Sequence, residues 1–378
     1  MTIEFAFGVP TRLAFGPGSV DGLAAAVAEA GSRALVITGH ASSRGSGLLD
    51  RCTHALRETG VQSTVYDGID SNPTYESILA AAESGRAAGA EAIVAIGGGS
   101  AMDAGRLTAL AMADPQRFWE CRVSGSLSVP GIPAGLTPTF TVPTLHGTGA
   151  EISPAALVRR GTAKEVFFSP HLFPRAAFVE PSLALTASAK LTAEAGVDAL
   201  IQGLEAYVSR RAQPFSDMFA LEAIRLAARW LPAAVRDPAD PEAREFVALA
   251  ALLSLYAVNQ AGVGGIHALS NPLSGRYNLH HGRALSLVAV AVVEYNLASS
   301  PDRFATVARL LDEADAGEPA RSLGDWLVGL GLGGRLSDHG ARPDDLDAMA
   351  VEAQNPDMAT NPQALPPEAV RRIYRSLM

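Results

Sequence analysis

The chain has 378 residues, 48% of them hydrophobic, and its 39 acidic against 30 basic residues give a formal net charge of −9. Because the sequence contains no basic stripe, this balance argues against a nucleic acid or an anionic membrane as partner. Two cysteines are too few for a disulfide framework, and neither a signal peptide nor a long apolar span is evident. We therefore expect a cytoplasmic protein with a large core and two domains.

The first half of the chain alternates strand-like and helical patterns. Residues 3–15 alternate enough to suggest a hairpin, and a helix is expected near Val20–Ala30. Strands are expected at 34–38, 61–66, 92–96 and 140–143, with helices between the first three up to Thr59 and Ala88. Such alternation predicts βαβ units and a parallel sheet, and we place this α/β domain at residues 1–182.

From residue 183 onward the pattern is helical. The expected helices are 193–211, 216–230, 241–261, 284–299, 301–310 and 322–330, a stretch starting near 342, and 367–377. Since strand-like signals stop at this point, residues 183–378 are predicted to form an all-helical domain.

A run of three glycines follows the strand at Ala92–Ile96. Gly97, Gly98 and Gly99 leave no side chain between a ligand and the backbone amides, which then lie at the N-terminus of a helix that attracts anions. One interpretation of this turn is therefore a binding site for a diphosphate. The other is a tight strand-to-helix turn in which Ser100 is the N-cap and Asp103 completes a capping box. The glycine spacing alone leaves both open.

Polar residues suited to a metal ion occur in the second half. Asp198, Gln202 and Glu205 fall at i, i+4 and i+7 on one face of an otherwise apolar helix, where polar groups must be paired or coordinate something. His267 and the pair His280-His281 follow. An aspartate with two separated histidines suits a divalent transition metal, although each histidine taken singly also fits a core or surface role.

These motifs recur in one order and at similar spacing in a known family. They are Asn72-Pro73-Thr74, Gly97-Gly98-Gly99-Ser100 with Asp103, Pro143-Thr144, Gly147-Thr148-Gly149 with Glu151, Ser169-Pro170 with Pro174 and Pro181, Asp198-Ala199-Leu200 with Glu205, His267-Ala268-Leu269, and His281-Gly282. With them the chain resembles the iron-containing (group III) alcohol dehydrogenases over essentially its full length. The resemblance implies a Rossmann-like N-terminal domain and a helical C-terminal domain, an architecture shared with dehydroquinate synthase. It also implies hydride transfer between a nicotinamide ring and a carbonyl or alcohol carbon held by one metal ion.

The resemblance also implies site residues. It places Gly98, Gly99 and Ser100 at the pyrophosphate, with the rest of the cofactor site at Asn72, Asp103, Thr144, Leu145, Thr148, Lys164 and Leu183. It assigns the metal ion, Fe or Zn, to Asp198, Gln202, His267 and His281; His281 is chosen over His280 because the family's ligand directly precedes the glycine. A homodimer is also implied.

Three positions depart from the family pattern. Gln202 stands where a histidine ligand is usual, so either the metal affinity falls or the ion keeps Asp198, His267, His281 and water. Asn271 stands where a histidine is often found, and His146 or His280 are candidates for the missing proton donor, each also compatible with a structural hydrogen bond. Arg106 replaces a common lysine at a position expected to be peripheral.

A fourth feature concerns the choice of coenzyme. Gly39 stands where NAD-preferring relatives carry an aspartate that would bind the ribose 2′-hydroxyl and repel a 2′-phosphate. With Ser42, Ser43 and Arg44 following, the segment permits NADP(H) as well as NAD(H). The alternative is a Gly/Ser loop that contacts nothing.

Together these observations predict an NAD(P)-dependent, metal-assisted reductase of a small aldehyde or ketone. Arg276 would favour an anionic substrate if it lies near the pocket, and is otherwise a solvated surface arginine. Three alternatives stay open: a metal-independent reductase resembling maleylacetate reductases, a dehydroquinate-synthase-like lyase, and a degenerate binding protein without catalysis.

Overall fold

The computed structural model describes residues 5–39, 45–123, 131–312 and 317–378. They form two compact units. The α/β unit comprises Val9–His146 and Ala150–Thr186, and the helical unit comprises Gly147–Gly149, Ala187–Met378 and the N-terminal segment through Gly8. The α/β plus helical architecture predicted from the sequence is confirmed.

A six-stranded parallel sheet is the frame of the α/β unit. Its strands, in the spatial order β1-β8-β5-β4-β2-β3, are β1 (Arg12–Phe15), β2 (Arg33–Gly39), β3 (Gln62–Ile69), β4 (Ala92–Gly97), β5 (Thr139–Pro143) and β8 (Ala176–Val179). The strands β6 (Ala155–Arg160) and β7 (Ala163–Phe168) form a separate antiparallel pair. The helices are α1 (Leu23–Ala28), α2 (Leu48–Glu58), α3 (Tyr75–Ala87) and α4 (Gly99–Ala113).

The four central strands of the sheet (β8, β5, β4 and β2) are buried on both faces. The edge strands β1 and β3 are partly exposed. In β2, Ala34 and Val36 pack into one core cluster with residues of α1 and α2. The alternating Leu35 and Ile37 pack into another with residues of α3 and α4. Because side chains of a strand alternate between faces, one short run fills both cores and fixes the register of the sheet.

The hairpin predicted at residues 3–15 is wrong. Among the described residues of this segment only Arg12–Phe15 form a strand, and it pairs in parallel with β8. Phe7 instead packs on the helical unit, with its ring centroid 4.8 Å from that of Phe215 and 5.7 Å from that of Phe219. The prediction failed because an alternating pattern shows that one side of a segment is apolar but does not specify what covers that side. Here helical side chains cover it.

Nine helices account for most of the described helical unit. They are α5 (Ala189–Val208), α6 (Pro214–Arg236), α7 (Pro241–Ala261), α8 (Gly265–Tyr277), α9 (His281–Asn296), α10 (Pro301–Leu311), α11 (Pro319–Gly329), α12 (Leu346–Glu352) and α13 (Pro367–Ser376). Their inward faces form one large apolar cluster, and a smaller cluster of alanines lies between α5, α6 and α7. Within the described ranges no single helix meets the length and hydropathy of a membrane span, although α7 and α8, bent by 109° at their junction, meet them jointly.

Candidate active site

The glycine turn leaves backbone amides bare at the start of α4. Gly97 ends β4 with φ of +149°, and its carbonyl accepts a 2.8 Å hydrogen bond from the Thr144 amide. Gly98 is the N-cap of α4 and has no side chain to cap the helix. Because the helix dipole adds positive potential here, this turn suits a phosphate group.

The capping-box interpretation of this turn is wrong. Gly98 rather than Ser100 occupies the N-cap position, and Ser100 lies inside the first turn of α4. The Ser100 hydroxyl donates to the backbone carbonyl of Ser71, which follows β3. Asp103 is likewise engaged elsewhere, so neither residue caps the helix.

Most residues proposed for the coenzyme lie where parallel strands end. Gly39 ends β2, Asn72 follows β3, Gly98, Gly99 and Ser100 follow β4, Thr144 and Leu145 follow β5, and Leu183 follows β8 in the turn Pro181–Ala184. Carboxyl ends of parallel strands share one edge of a sheet, which is where such folds bind ligands. Lys164 lies in β7 and Thr148 belongs to the helical unit. Ser42, with Ser43 and Arg44, lies outside the described residues.

The expectation that Arg106 is peripheral is wrong. Its side chain is fully buried, and Nη1 donates to the carbonyls of Ala150 (2.7 Å) and Ser153 (2.5 Å). Nη2 donates to Asp103, whose other carboxylate oxygen accepts from the Leu157 amide at 3.0 Å. Burial raises the pKa of Asp103 and lowers that of Arg106, while their mutual attraction opposes both changes.

A second carboxyl group lies buried near the same guanidinium. Glu151 is 2% exposed, and burial raises its pKa to about 7 although its own amide and Arg106 favour the charged form. Its Oε1 atom accepts no hydrogen bond from the described part of the chain. The sequence motif marked Glu151, but nothing local in the sequence links it to Arg106.

Three residues of the helical unit bring metal-binding atoms together. Asp198 on α5, His267 on α8 and His281 at the start of α9 each offer one donor atom, all within 4.8 Å of one another. Asp198 Oδ1 lies 3.2 Å from His267 Nε2, and Asp198 Oδ2 lies 3.9 Å from His281 Nε2. Among the described residues, no hydrogen bond reaches the buried Oδ2. This donor set and its unsatisfied oxygen fit one divalent transition metal.

Glu205 fixes the orientation of His267. Its Oε2 lies 2.5 Å from His267 Nδ1, and its Oε1 accepts a 2.6 Å hydrogen bond from the Ile266 amide. Burial disfavours a charged imidazole, but Glu205 and Asp198 together raise the pKa of His267 to about 10. The two carboxylates thus favour positive charge at this position, whether a proton or a metal ion on Nε2. The i+7 spacing from Asp198 indicated the shared face but not this role.

Gln202 makes two hydrogen bonds inside the helical unit. Its Oε1 accepts from Ser254 Oγ at 2.8 Å, and its Nε2 donates to the Thr148 carbonyl at 3.1 Å. Asn271 donates to Asp357 at 3.1 Å, and Arg276 Nε donates to Glu352 at 2.8 Å.

The two proton-donor candidates lie in different units. His146 is buried in the α/β unit, and His280 is the half-buried N-cap residue of α9.

A parallel α/β unit with a bare-amide turn, and a helical unit with a buried aspartate and two histidines, together define a metal-using dehydrogenase. Comparison with known families gives the same answer. The family model described as "Iron-containing alcohol dehydrogenase" matches residues 10–181, and the one described as "Fe-containing alcohol dehydrogenase family, C-terminal" matches residues 192–378. The chain belongs to the iron-containing alcohol dehydrogenase family and is an oxidoreductase of that class, as the motifs predicted.

Similar proteins span the whole chain. A 1,3-propanediol dehydrogenase of Klebsiella pneumoniae is 31% identical over 98% of both chains, and an NAD-dependent methanol dehydrogenase of Bacillus methanolicus is 27% identical over 98% of this chain and 99% of its own. The crystal structure of an archaeal halo-thermophilic Red Sea brine pool alcohol dehydrogenase superposes with a TM-score of 0.95, at 26% identity and full coverage of both chains. These relatives do not favour the lyase, the metal-independent reductase or the non-catalytic alternative.

Proposed function

We propose that this protein interconverts a small primary or secondary alcohol and its aldehyde or ketone with NAD(H) or NADP(H), acting mainly as a reductase. The observation that carries the proposal is the donor cluster of Asp198, His267 and His281, with one buried carboxylate oxygen left unsatisfied among the described residues. Relatives named for 1,3-propanediol and methanol support a small substrate.

The proposed metal centre uses Asp198, His267 and His281, with Gln202 as a further candidate ligand. A bound Fe or Zn ion supplies Lewis-acid polarisation of the substrate oxygen. Glu205 holds the His267 ring through Nδ1, so that Nε2 faces Asp198. The remaining residues would bind and orient the coenzyme, with Gly98, Gly99 and Ser100 at its pyrophosphate.

The direct test combines metal analysis with a coenzyme assay. Purified protein should contain about one divalent metal per chain and should oxidise NADH or NADPH in the presence of small aldehydes and ketones. Asp198→Asn should lose most of both the metal and the turnover, whereas Asp325→Asn, whose side chain is 74% exposed, should lose neither. Coenzyme binding without turnover across the carbonyl panel would contradict the proposal.

Coenzyme preference is proposed to extend to NADP(H) because Gly39 offers no carboxylate. Gly39→Asp should lower kcat/KM for NADPH relative to NADH, since a carboxylate repels the 2′-phosphate. An added Cβ at this position lies 3.3 Å from the Ile69 carbonyl, so Gly39→Ala is the matched steric control. A wild-type enzyme that strongly prefers NADH would contradict this part of the proposal.

His146 and His280 are the proposed sources of the proton that completes reduction. If one of them acts, its substitution by glutamine should lower kcat and remove a limb of the pH–rate profile near neutrality. The other substitution should leave the profile unchanged. Unchanged profiles in both variants would exclude both histidines.

The assembly is proposed to be a cytoplasmic homodimer. Light scattering on a size-exclusion column should give twice the mass of one chain. A monomer mass at micromolar concentration would exclude a stable dimer.

A further inference from the structure

We infer that Gln202 is not a fourth protein ligand but a positioning residue that ties Thr148 to α5 and α7, leaving the proposed ion with three protein ligands. The inference rests on the proposed metal centre. The family resemblance instead assigns Gln202 to the metal, at a position where a histidine ligand is usual.

The side-chain amide has one possible orientation. The Thr148 carbonyl can only accept a hydrogen bond, so the atom 3.1 Å away must be Nε2, and Oε1 then faces the Ser254 hydroxyl at 2.8 Å. Both ends of the amide are therefore engaged. Gln202 is 5% exposed and Ser254 is fully buried, so both hydrogen bonds of the amide are shielded from water.

The two hydrogen bonds fix the plane of the amide. Ligation could then use only the remaining lone pair of Oε1, in the one direction that this plane leaves. A neutral amide oxygen is also a weaker ligand for a first-row transition metal than imidazole. We therefore assign the orientation of the Gln202 amide to its two buried hydrogen bonds and not to a metal bond.

The segment that Gln202 holds is packed too tightly for any side chain at its ends. A Cβ on Gly147 would lie 1.9 Å from the Ala195 carbonyl of α5, and one on Gly149 would lie 2.7 Å from the Ala251 carbonyl of α7. Gln202 on α5 and Ser254 on α7 come from the same two helices. The amide thus fixes the position of Thr148, a proposed coenzyme contact. The residues on either side of Thr148 already pack closely against the backbones of α5 and α7.

One substitution separates a clamp from a ligand. Gln202→Met removes both hydrogen bonds at similar volume, and should raise the coenzyme Kd about tenfold while changing the Zn²⁺ affinity by less than about threefold. Gln202→Glu cannot donate to the Thr148 carbonyl, so it should weaken coenzyme binding as well. Its added charge attracts Zn²⁺ under either role, so its Zn²⁺ affinity does not enter the decision.

Zn²⁺ affinity is measured on metal-stripped full-length protein by competition with a chelating dye, and coenzyme affinity by NADH fluorescence. Gln363→Met is the matched control, because Gln363 Nε2 also donates to a backbone carbonyl, that of Tyr295, in the same unit. It should change neither affinity. Circular dichroism melts confirm that each variant is folded.

The Zn²⁺ and coenzyme affinities of Gln202→Met decide between a positioning residue and a ligand. A loss of Zn²⁺ affinity of tenfold or more in Gln202→Met, with coenzyme binding unchanged, overturns the inference and makes Gln202 a ligand. Absence of Zn²⁺ binding by the wild-type protein overturns the three-ligand centre and the proposed function with it. In that case the coenzyme arm still decides whether Gln202 acts as a clamp.

Discussion

At the scale of single residues, one buried guanidinium organises the end of the α/β core around α4. Arg106 joins that helix to two carbonyls in the segment before β6 and to Asp103, which in turn accepts from the amide of Leu157 in β6. A buried cation with this many acceptors is costly to remove, because its partners are left unpaired.

Replacing Arg106 by methionine should therefore lower the free energy of unfolding by about 3–5 kcal/mol. The matched control is Arg225→Met, which removes an exposed ion pair with Glu222, and should cost less than about 1 kcal/mol. Urea unfolding measures both. Equal costs for the two variants would contradict the structural role of Arg106.

Glu151 predicts how stability depends on pH. Its pKa is about 7 in the folded protein against 4.5 as the ordinary value, so the folded state binds the extra proton between these pH values. Stability from this group is full below pH 4.5 and is lost as the pH rises through 7. Glu151→Gln stays neutral, so its stability relative to wild type should rise by about 1–3 kcal/mol between acidic and mildly alkaline pH. A difference that does not change with pH in urea titrations would contradict this.

Residue by residue, the sequence predicted which side chains cluster better than it predicted their surroundings. The family resemblance singled out Asp198, His267 and His281, and the structure brings their donor atoms within 4.8 Å of one another. Arg106 was misjudged because its partners lie 44 and 47 positions away and are backbone carbonyls, which leave no trace in side-chain patterns. The hydrogen bond between the side chains of Gln202 and Ser254 was not predicted because the two residues lie 52 positions apart.

At the scale of elements, helix boundaries followed local chemistry. The helix α7 was predicted to the residue because Asp240 caps it, Pro241 opens it and Gly262, with φ of +74°, ends it. The N-terminal hairpin failed because alternation gives the period of a segment but not its partner. Strand order β1-β8-β5-β4-β2-β3 was likewise beyond prediction from one sequence, since pairing depends on distant residues.

The start of α9 depends on a close approach between two helices. A Cβ on Gly282 would lie 1.7 Å from the Glu194 carbonyl on α5 and 2.8 Å from Val197 Cγ1. Gly282→Ala should force α9 outward, displace His281, weaken Zn²⁺ binding and cost about 1–3 kcal/mol or more of stability.

The control for this prediction is Gly329→Ala at the end of α11, where an added Cβ meets nothing within 4 Å. It should leave both properties unchanged or raise stability slightly. Dye competition and thermal melts check the pair. Normal Zn²⁺ affinity in Gly282→Ala would show that His281 is positioned by something other than this contact.

At the scale of the whole molecule, the metal ion should stabilise the fold. Because an ion that binds only the folded protein shifts the unfolding equilibrium, Zn²⁺ at 100 times its Kd should add about 2.7 kcal/mol, and a chelator should remove it. The added free energy of unfolding should appear as a higher Tm in the presence of Zn²⁺, and Asp198→Asn should abolish most of that increase. A chelator-insensitive Tm in protein shown to contain metal would contradict the prediction.

The division into units has a consequence for biosynthesis. The α/β unit is complete once Thr186 has left the ribosome, but the helical unit needs the last helices as well as Phe5–Gly8 and Gly147–Gly149. At 5–20 residues per second the nascent chain would spend about 10–40 s with Phe5 and Phe7 waiting for the aromatic surface of α6. During that interval Phe5 and Phe7 lack the rings of Phe215 and Phe219, against which they pack in the folded protein.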